Sequence, residues 1–269
     1  MHRSASLAIA VVAVASILLS GCAADPEHSG PKSGASDTAT SGNDDPELDD
    51  STLVVLGKYD VDGNELVDAN VPEDHAAVWD RFAELFPADS HPEITMFVAI
   101  DAEASGGVDG ALERNGIDPE QRYIAIDATD YDEPDELDRT LIHEFTHLVT
   151  LRATQVTDAI ADEDCPLYAN RGCPLPGSYL EAWETEFWPD AAAPDFDESD
   201  ESVEERYDAD EYVTEYAATN PDEDIAESFA SWVVGDTEAS VGTTVADKLA
   251  FFEDYPELVQ LKTHILAAL

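Results

Sequence analysis

The chain has 269 residues, 43% of them hydrophobic, and a formal net charge of −49. That hydrophobic content argues against disorder of the whole chain, while so negative a surface repels phosphate backbones and anionic headgroups and excludes nucleic acid as a partner. Residues 51–269 hold 53 acidic against 10 basic residues, so the folded part is itself acidic; solvation accounts for this, with salt adaptation or attraction of cationic substrates as sharper readings.

In chain order, Met1-His2-Arg3 supplies a short positive segment and Leu7–Leu19 an apolar run too short to span a bilayer comfortably, the form of a signal peptide over 1–21. Leu19-Ser20-Gly21-Cys22 then resembles the bacterial lipobox, in which the Cys is lipidated and becomes the new N-terminus. Residues 22–50 are rich in Gly, Ser, Pro, Asp and Thr and bury too little to order themselves, so they are expected to form a tether. The domain organisation expected is therefore signal peptide 1–21, lipidated Cys22 with tether 22–50, and one folded domain over 51–269.

Within that domain, Thr52–Leu56 reads as a strand, residues 72–86 as a helix, and Ile94–Ile100 and Tyr123–Ile126 as further strands. Asp60-Val61-Asp62-Gly63-Asn64 does not space its carboxylates as a calcium loop does, and reads as a turn. Pro134 opens a helix through Leu151 whose apolar stripe is Leu137, Leu141, Phe145, Leu148 and Leu151. Cys165 and Cys173 are the remaining cysteines of an exported chain, and a disulfide between them is expected. Ser178–Trp188 reads as a helix. Residues 190–211, with 11 acidic residues and one Arg, read as a solvated loop, and Asp222–Val234 and Val245–Leu266 as closing helices.

The chemistry lies on the Pro134 helix. His143-Glu144-Phe145-Thr146-His147 puts two imidazoles one turn apart on one face, within reach of a single tetrahedral Zn²⁺, with Glu144 placed to take a proton from metal-acidified water and return it to a leaving amine. Leu141, Ile142, Phe145, Leu148 and Val149 in and around that motif are apolar, as a buried active-site helix requires. A catalytic site needs a third protein ligand, and no His follows in the His-x-x-Gly-x-x-His form, so the metzincin pattern is absent. His75, His91 and His264 stand outside any ligand spacing and read as surface or satisfied core.

Farther on, Tyr216-Ala217-Ala218-Thr219-Asn220-Pro221-Asp222-Glu223-Asp224-Ile225-Ala226-Glu227-Ser228-Phe229 resembles the corresponding stretch of the gluzincin peptidases, and within them the lethal-factor-like group and related zinc-binding lipoprotein peptidases. Ser178-Tyr179-Leu180, Lys248–Phe252 and Tyr255–Leu258 extend the likeness over roughly 134–269. The resemblance implies Glu223 as third zinc ligand, Glu227 four residues on, and Tyr216 as a hydroxyl facing the scissile carbonyl. Glu223 and Glu227 share a helix face, so one can bind metal while the other holds a ligand imidazole from behind; on spacing alone the order could be reversed.

The expectation is thus an α+β zincin-like domain, a small mixed sheet over an active-site helix with a mainly helical C-terminal half. It would carry one Zn²⁺ per chain on His143, His147 and Glu223 and hydrolyse peptide or protein substrates as a monomer held at the outer membrane face through Cys22. A non-catalytic zinc-binding surface lipoprotein and a cell-wall amidase are the alternatives, and Glu144 favours an enzyme over a binding module.

Overall fold

The computed structural model describes residues 53–114, 118, 120–129, 134–157, 165–193, 196–237 and 239–269. The expectations for the signal peptide, Cys22 and the tether lie outside them.

Strand β1 (Val55–Asp62) turns tightly into β2 (Glu65–Leu66). Asp62 pairs with Glu65, so Gly63 and Asn64 make a two-residue hairpin loop. Gly63 supplies the positive φ of 62° that such a loop requires. The Asp-Gly segment is therefore a turn, and the strand expected at 52–56 begins later and runs on to Asp62.

Helix α1 (Glu73–Leu85) is followed by β3 (Ile94–Ile100), β4 (Gly110–Arg114) and β5 (Arg122–Asp127). The sheet order is β2-β1-β3-β5-β4, with β3 and β5 parallel and every other pairing antiparallel. β5 is buried along its whole length, as a central strand covered on both faces should be. Alternation splits its neighbour: Phe97 and Ala99 face the main core with Ile124 and Ile126, whereas Val98 and Ile100 join Tyr123 and Ala125 in a smaller cluster on the other face. β4 lies at the sheet edge. It reads poorly from sequence because Gly110-Ala111-Leu112-Glu113-Arg114 buries only Leu112.

The C-terminal half is helical: α2 (Pro134–Thr150), α3 (Tyr179–Phe187), α4 (Asp200–Arg206), α5 (Pro221–Val234), α6 (Thr244–Phe251) and α7 (Pro256–Ala268). Two expectations are corrected. The acidic stretch 190–211 contains α4, because Val203 is buried and Arg206 donates to the carbonyls of Asp197, Ala218 and Thr219. The closing helix is two helices, since Phe252–Asp254 tightens into a 3₁₀ turn and Pro256 starts a new helix at its first turn.

Two aromatic clusters clamp the long central helices. Phe145 of α2 stacks on Phe86 with centroids 3.9 Å apart, beside Phe82, Trp79 and Phe97. Phe229 of α5 packs edge-on to Phe252, next to Trp183, Trp232 and Phe251. α2 and α5 are thereby fixed against each other between the sheet and the C-terminal helices. Among the described residues no helix is long and apolar enough to cross a membrane.

Candidate metal centre

Helix α2 presents Leu141, Ile142, Phe145 and Leu148 to the core, all fully buried. Thr146 and Thr150 stay satisfied on the buried side by donating to the carbonyls of Ile142 and Thr146. This rotation turns His143, Glu144 and His147 toward α5. Helix α5 starts with a strong local signal: the Asn220 side chain accepts from Glu223 N–H at 3.0 Å, Pro221 sits in the first turn, and Gly235 ends the helix in the left-handed region. That cap fixes Glu223 in the first helical turn, pointing at α2.

The result is a tight triangle. His143 Nε2 and His147 Nε2 are 3.0 Å apart, and each is 3.1 Å from Glu223 Oε2. Behind it, His143 Nδ1 lies 2.8 Å from Glu227 Oε1. The other oxygen of Glu227 accepts from Arg139 at 3.0 Å and Thr214 at 2.8 Å. With its other oxygen occupied as an acceptor, Glu227 accepts a hydrogen bond from His143 Nδ1–H and leaves Nε2 facing the triangle.

Three lone-pair atoms at this spacing call for a positive centre. A proton bridges one pair of them at a time, whereas a divalent cation satisfies all three. Two imidazoles and a carboxylate are a zinc donor set, and tetrahedral bonds of about 2.0–2.1 Å would put the donors roughly 3.3 Å apart, close to what is seen. His143, His147 and Glu223 thus form a His/His/Glu cluster able to hold a metal, and the residues fit zinc.

The electrostatics follow from burial. Burial alone would raise the carboxyl of Glu223, yet His147 and His143 hold it well below the usual range. Glu227 is likewise opposed by burial but drawn down to about 2 by His143 and Arg139. His143 is raised to about 10 by Glu223 and Glu227 against its burial, while burial drives His147 down to about 4. Glu144 is pushed up to about 7, first by burial, and its Oε2 is enclosed without a hydrogen-bond partner. Its room is made by Gly110 on β4, where an added Cβ would come within 2.8 Å of Glu144 Cγ.

A cleft of about 380 Å³ opens beside Glu144, lined by residues 107–110, by Arg139, Thr140 and His143, and by Tyr216 and Glu227. Tyr216 is 54% exposed, and its ring centroid is 5.9 Å from that of His143. Its phenol is raised above the ordinary value by desolvation and by the charges of Glu223 and Glu144. Cys165 and Cys173 are joined by a disulfide. Their loop brings Arg171 Nη2 to 3.5 Å from Glu223 Oε1.

The structure therefore brings together His143, Glu144, His147, Tyr216, Glu223 and Glu227, and keeps the other histidines among the described residues apart. His75 pairs with the Tyr59 hydroxyl at 2.6 Å and His91 with Asn64 at 3.0 Å, both in the core, and His264 is exposed. Sequence reasoning missed Arg139, Gly110 and Arg171. Arg139 carried a usable signal, four residues before His143 on the same helix face. Gly110 and Arg171 are close to the site only through tertiary structure.

No protein-family model matches the chain, and no curated protein matches it. A solved structure provisionally described as a zinc-binding metallo-peptidase, from Bacteroides caccae, superposes over 75% of this chain and 81% of its own, at 13% identity and a TM-score of 0.36.

Proposed function

We propose that this chain is a gluzincin-type zinc metallopeptidase with a zincin-like fold, exported and held at the outer face of the membrane through a lipid on Cys22. One observation carries the reading: the buried triangle of His143, His147 and Glu223 donor atoms has an unpartnered carboxylate, Glu144, at its edge and an open cleft in front of it. A site that only stored metal would need the triangle and not the carboxylate.

His143, His147 and Glu223 would hold the ion, which supplies Lewis acidity toward a carbonyl and toward water when bound. Glu144 accepts the proton from the attacking water and delivers it to the departing amine. Glu227, braced by Arg139 and Thr214, fixes the tautomer and ring plane of His143. Tyr216, at the cleft mouth, donates its hydroxyl proton toward the oxygen on which charge develops. An open edge supports a peptide substrate: among the described residues no strand pairs with the outer edge of β4, and an extended peptide can add there beside Glu144.

The test is cleavage of a diverse peptide mixture by the zinc-loaded full chain, with and without chelator. Turnover should vanish with chelator and return with zinc. In Glu144→Gln it should be lost at unchanged zinc content, because the amide cannot accept the proton. Full turnover in that variant would defeat the mechanism.

A further inference from the structure

The loop closed by Cys165 and Cys173 does more than cap the site, because it delivers a fixed guanidinium to it. Arg114 of β4 donates to the carbonyl of Arg171 at 2.8 Å. Gly172 follows in the left-handed region, with φ 119°, where an added Cβ would meet the carbonyl of Thr157 at 2.5 Å. Thr157 N–H donates to the Cys173 carbonyl and its hydroxyl accepts from Cys173 N–H, both at 2.9 Å. Tyr168 N–H donates to the buried Glu184 carboxyl at 2.6 Å, and the Tyr168 hydroxyl donates to Glu198 at 2.7 Å. Disulfide, bridge and carboxylate anchors thus hold the backbone at Arg171 on both sides.

The side chain is held less completely than its backbone. At 3.5 Å from Glu223 Oε1, Arg171 Nη2 makes an ion pair and no proper hydrogen bond. Its Nη1 is enclosed and has no hydrogen-bond partner. Arg81, Arg139 and Arg206 each donate to two or more carboxylates or carbonyls, while Arg152, 3.5 Å from Glu93, also keeps an enclosed nitrogen without a partner. What sets Arg171 apart among the described arginines is its place, since its guanidinium lies against a carboxylate of the His143, His147 and Glu223 triangle. Glu223, Asp222, Glu113 and Glu144 all act on that guanidinium; a metal on Glu223 would offset the first of these and leave Nη1 still without a partner.

Resting on the peptidase reading above, we infer that Arg171 is a specificity residue that binds a carboxylate of the substrate close to the scissile bond. The planar guanidinium offers a two-point match to a carboxylate. Two sources carry that chemistry: the C-terminal carboxylate of the substrate chain, and an Asp or Glu side chain within it.

Binding to the zinc-loaded full chain carrying Glu144→Gln, measured calorimetrically, separates them. The probes are N-acetyl-trialanine as free acid and as amide, and N-acetyl-Ala-Glu-Ala-amide beside its Gln counterpart. One carboxylate probe should bind at least about tenfold more tightly than its neutral partner. Which pair shows the difference names the source. Adding Arg171→Gln should abolish the preference at unchanged zinc content and leave the neutral probes' affinities unaltered, and Arg171→Lys should restore part of it.

Equal binding of acid and neutral probes overturns the inference. So does a variant that loses zinc and weakens both members of a pair alike, since that is a structural role. Turnover of peptides without any carboxylate preference would leave the peptidase reading standing and this one refuted. An Arg171-dependent carboxylate preference in a protein that cleaves no peptide would do the reverse.

Discussion

Glu144 and Gly110 meet at the edge of the proposed site, and the contact between them is steric. A methyl group at 110 would press within 3 Å of two Glu144 atoms and of Thr140, so Gly110→Ala should displace the carboxylate without touching a ligand. Peptide turnover should fall by roughly 10- to 100-fold, the cost of a misplacement of about 1 Å, with zinc content unchanged; undiminished turnover would mean that Glu144 has slack. Glu223→Ala should strip the metal, while Glu227→Ala should weaken it by roughly 10- to 100-fold, as loss of a partner behind a ligand does. Competition against a chelator of known affinity ranks the two, and equal losses would reopen which glutamate is the ligand. Glu184 gives a separate, pH-dependent test. Burial raises its carboxyl to about 8 from an ordinary 4.5, and Oε1 has no partner. The folded state therefore binds the proton more tightly than the unfolded chain, so stability is full below about pH 4.5 and declines by roughly 1.4 kcal/mol per unit as pH rises toward 8. Glu184→Gln keeps an acceptor for Tyr168 N–H and should flatten that decline in urea melts at pH 5 and pH 8; an unchanged slope would show that Glu184 ionises freely.

At the scale of elements, the two long central helices carry the site and were also the most legible. α2 announced itself through Pro134 and its three-and-four apolar spacing, which also fixed His143 and His147 on one face. α5 carried Asn220, Pro221 and Gly235 as start and stop signals, yet the expectation of Glu223 as a ligand came from resemblance, since spacing left Glu223 and Glu227 interchangeable. What stayed illegible depended on contacts between distant segments. β4 buries one side chain and owes its place to pairing with β5; α4 is acidic and held by Val203 and by Arg206 reaching three carbonyls; Arg171 reaches Glu223 only because its loop is pinned to β4 and α3. The break between α6 and α7 was readable at Pro256, but the apolar residues on both sides masked it. The α5 cap links stability to metal binding. Asn220→Ala should cost about 1 kcal/mol and also lower zinc affinity, because Glu223 N–H is the group the cap holds. Asn220→Ser keeps a capping acceptor without setting a carboxylate against Glu198, to which Asn220 Nδ2 donates at 2.9 Å, and should preserve most of both. Denaturant melts with and without zinc measure the two effects, and loss of stability with no change in metal affinity would show that Glu223 is positioned by packing alone.

For the whole molecule the governing fact is charge, −49 over 269 residues. Such a charge repels itself in the compact state and costs stability, and the few cations are placed to counter it locally: Lys248 is buried against Asp224 at 2.7 Å, Arg81 grips Asp138, and Arg139 bridges Glu227 and Asp236. The acidic residues outnumber such partners, 61 against 12 basic ones. Screening relieves the remaining repulsion, since the Debye length falls from about 10 Å at 0.1 M salt to about 3 Å at 1 M. Raising sodium chloride over that range should therefore raise the melting temperature of the zinc-saturated protein, by about 2–4 °C for each kcal/mol of repulsion relieved. The buried ion pairs are shielded from salt by their own packing, so their contribution should persist while the surface repulsion fades. A melting temperature that stays flat or falls between the two salt concentrations would mean that the surface carboxylates are spaced widely enough for water alone to screen them, and that the acidic composition serves solvation without a stability cost.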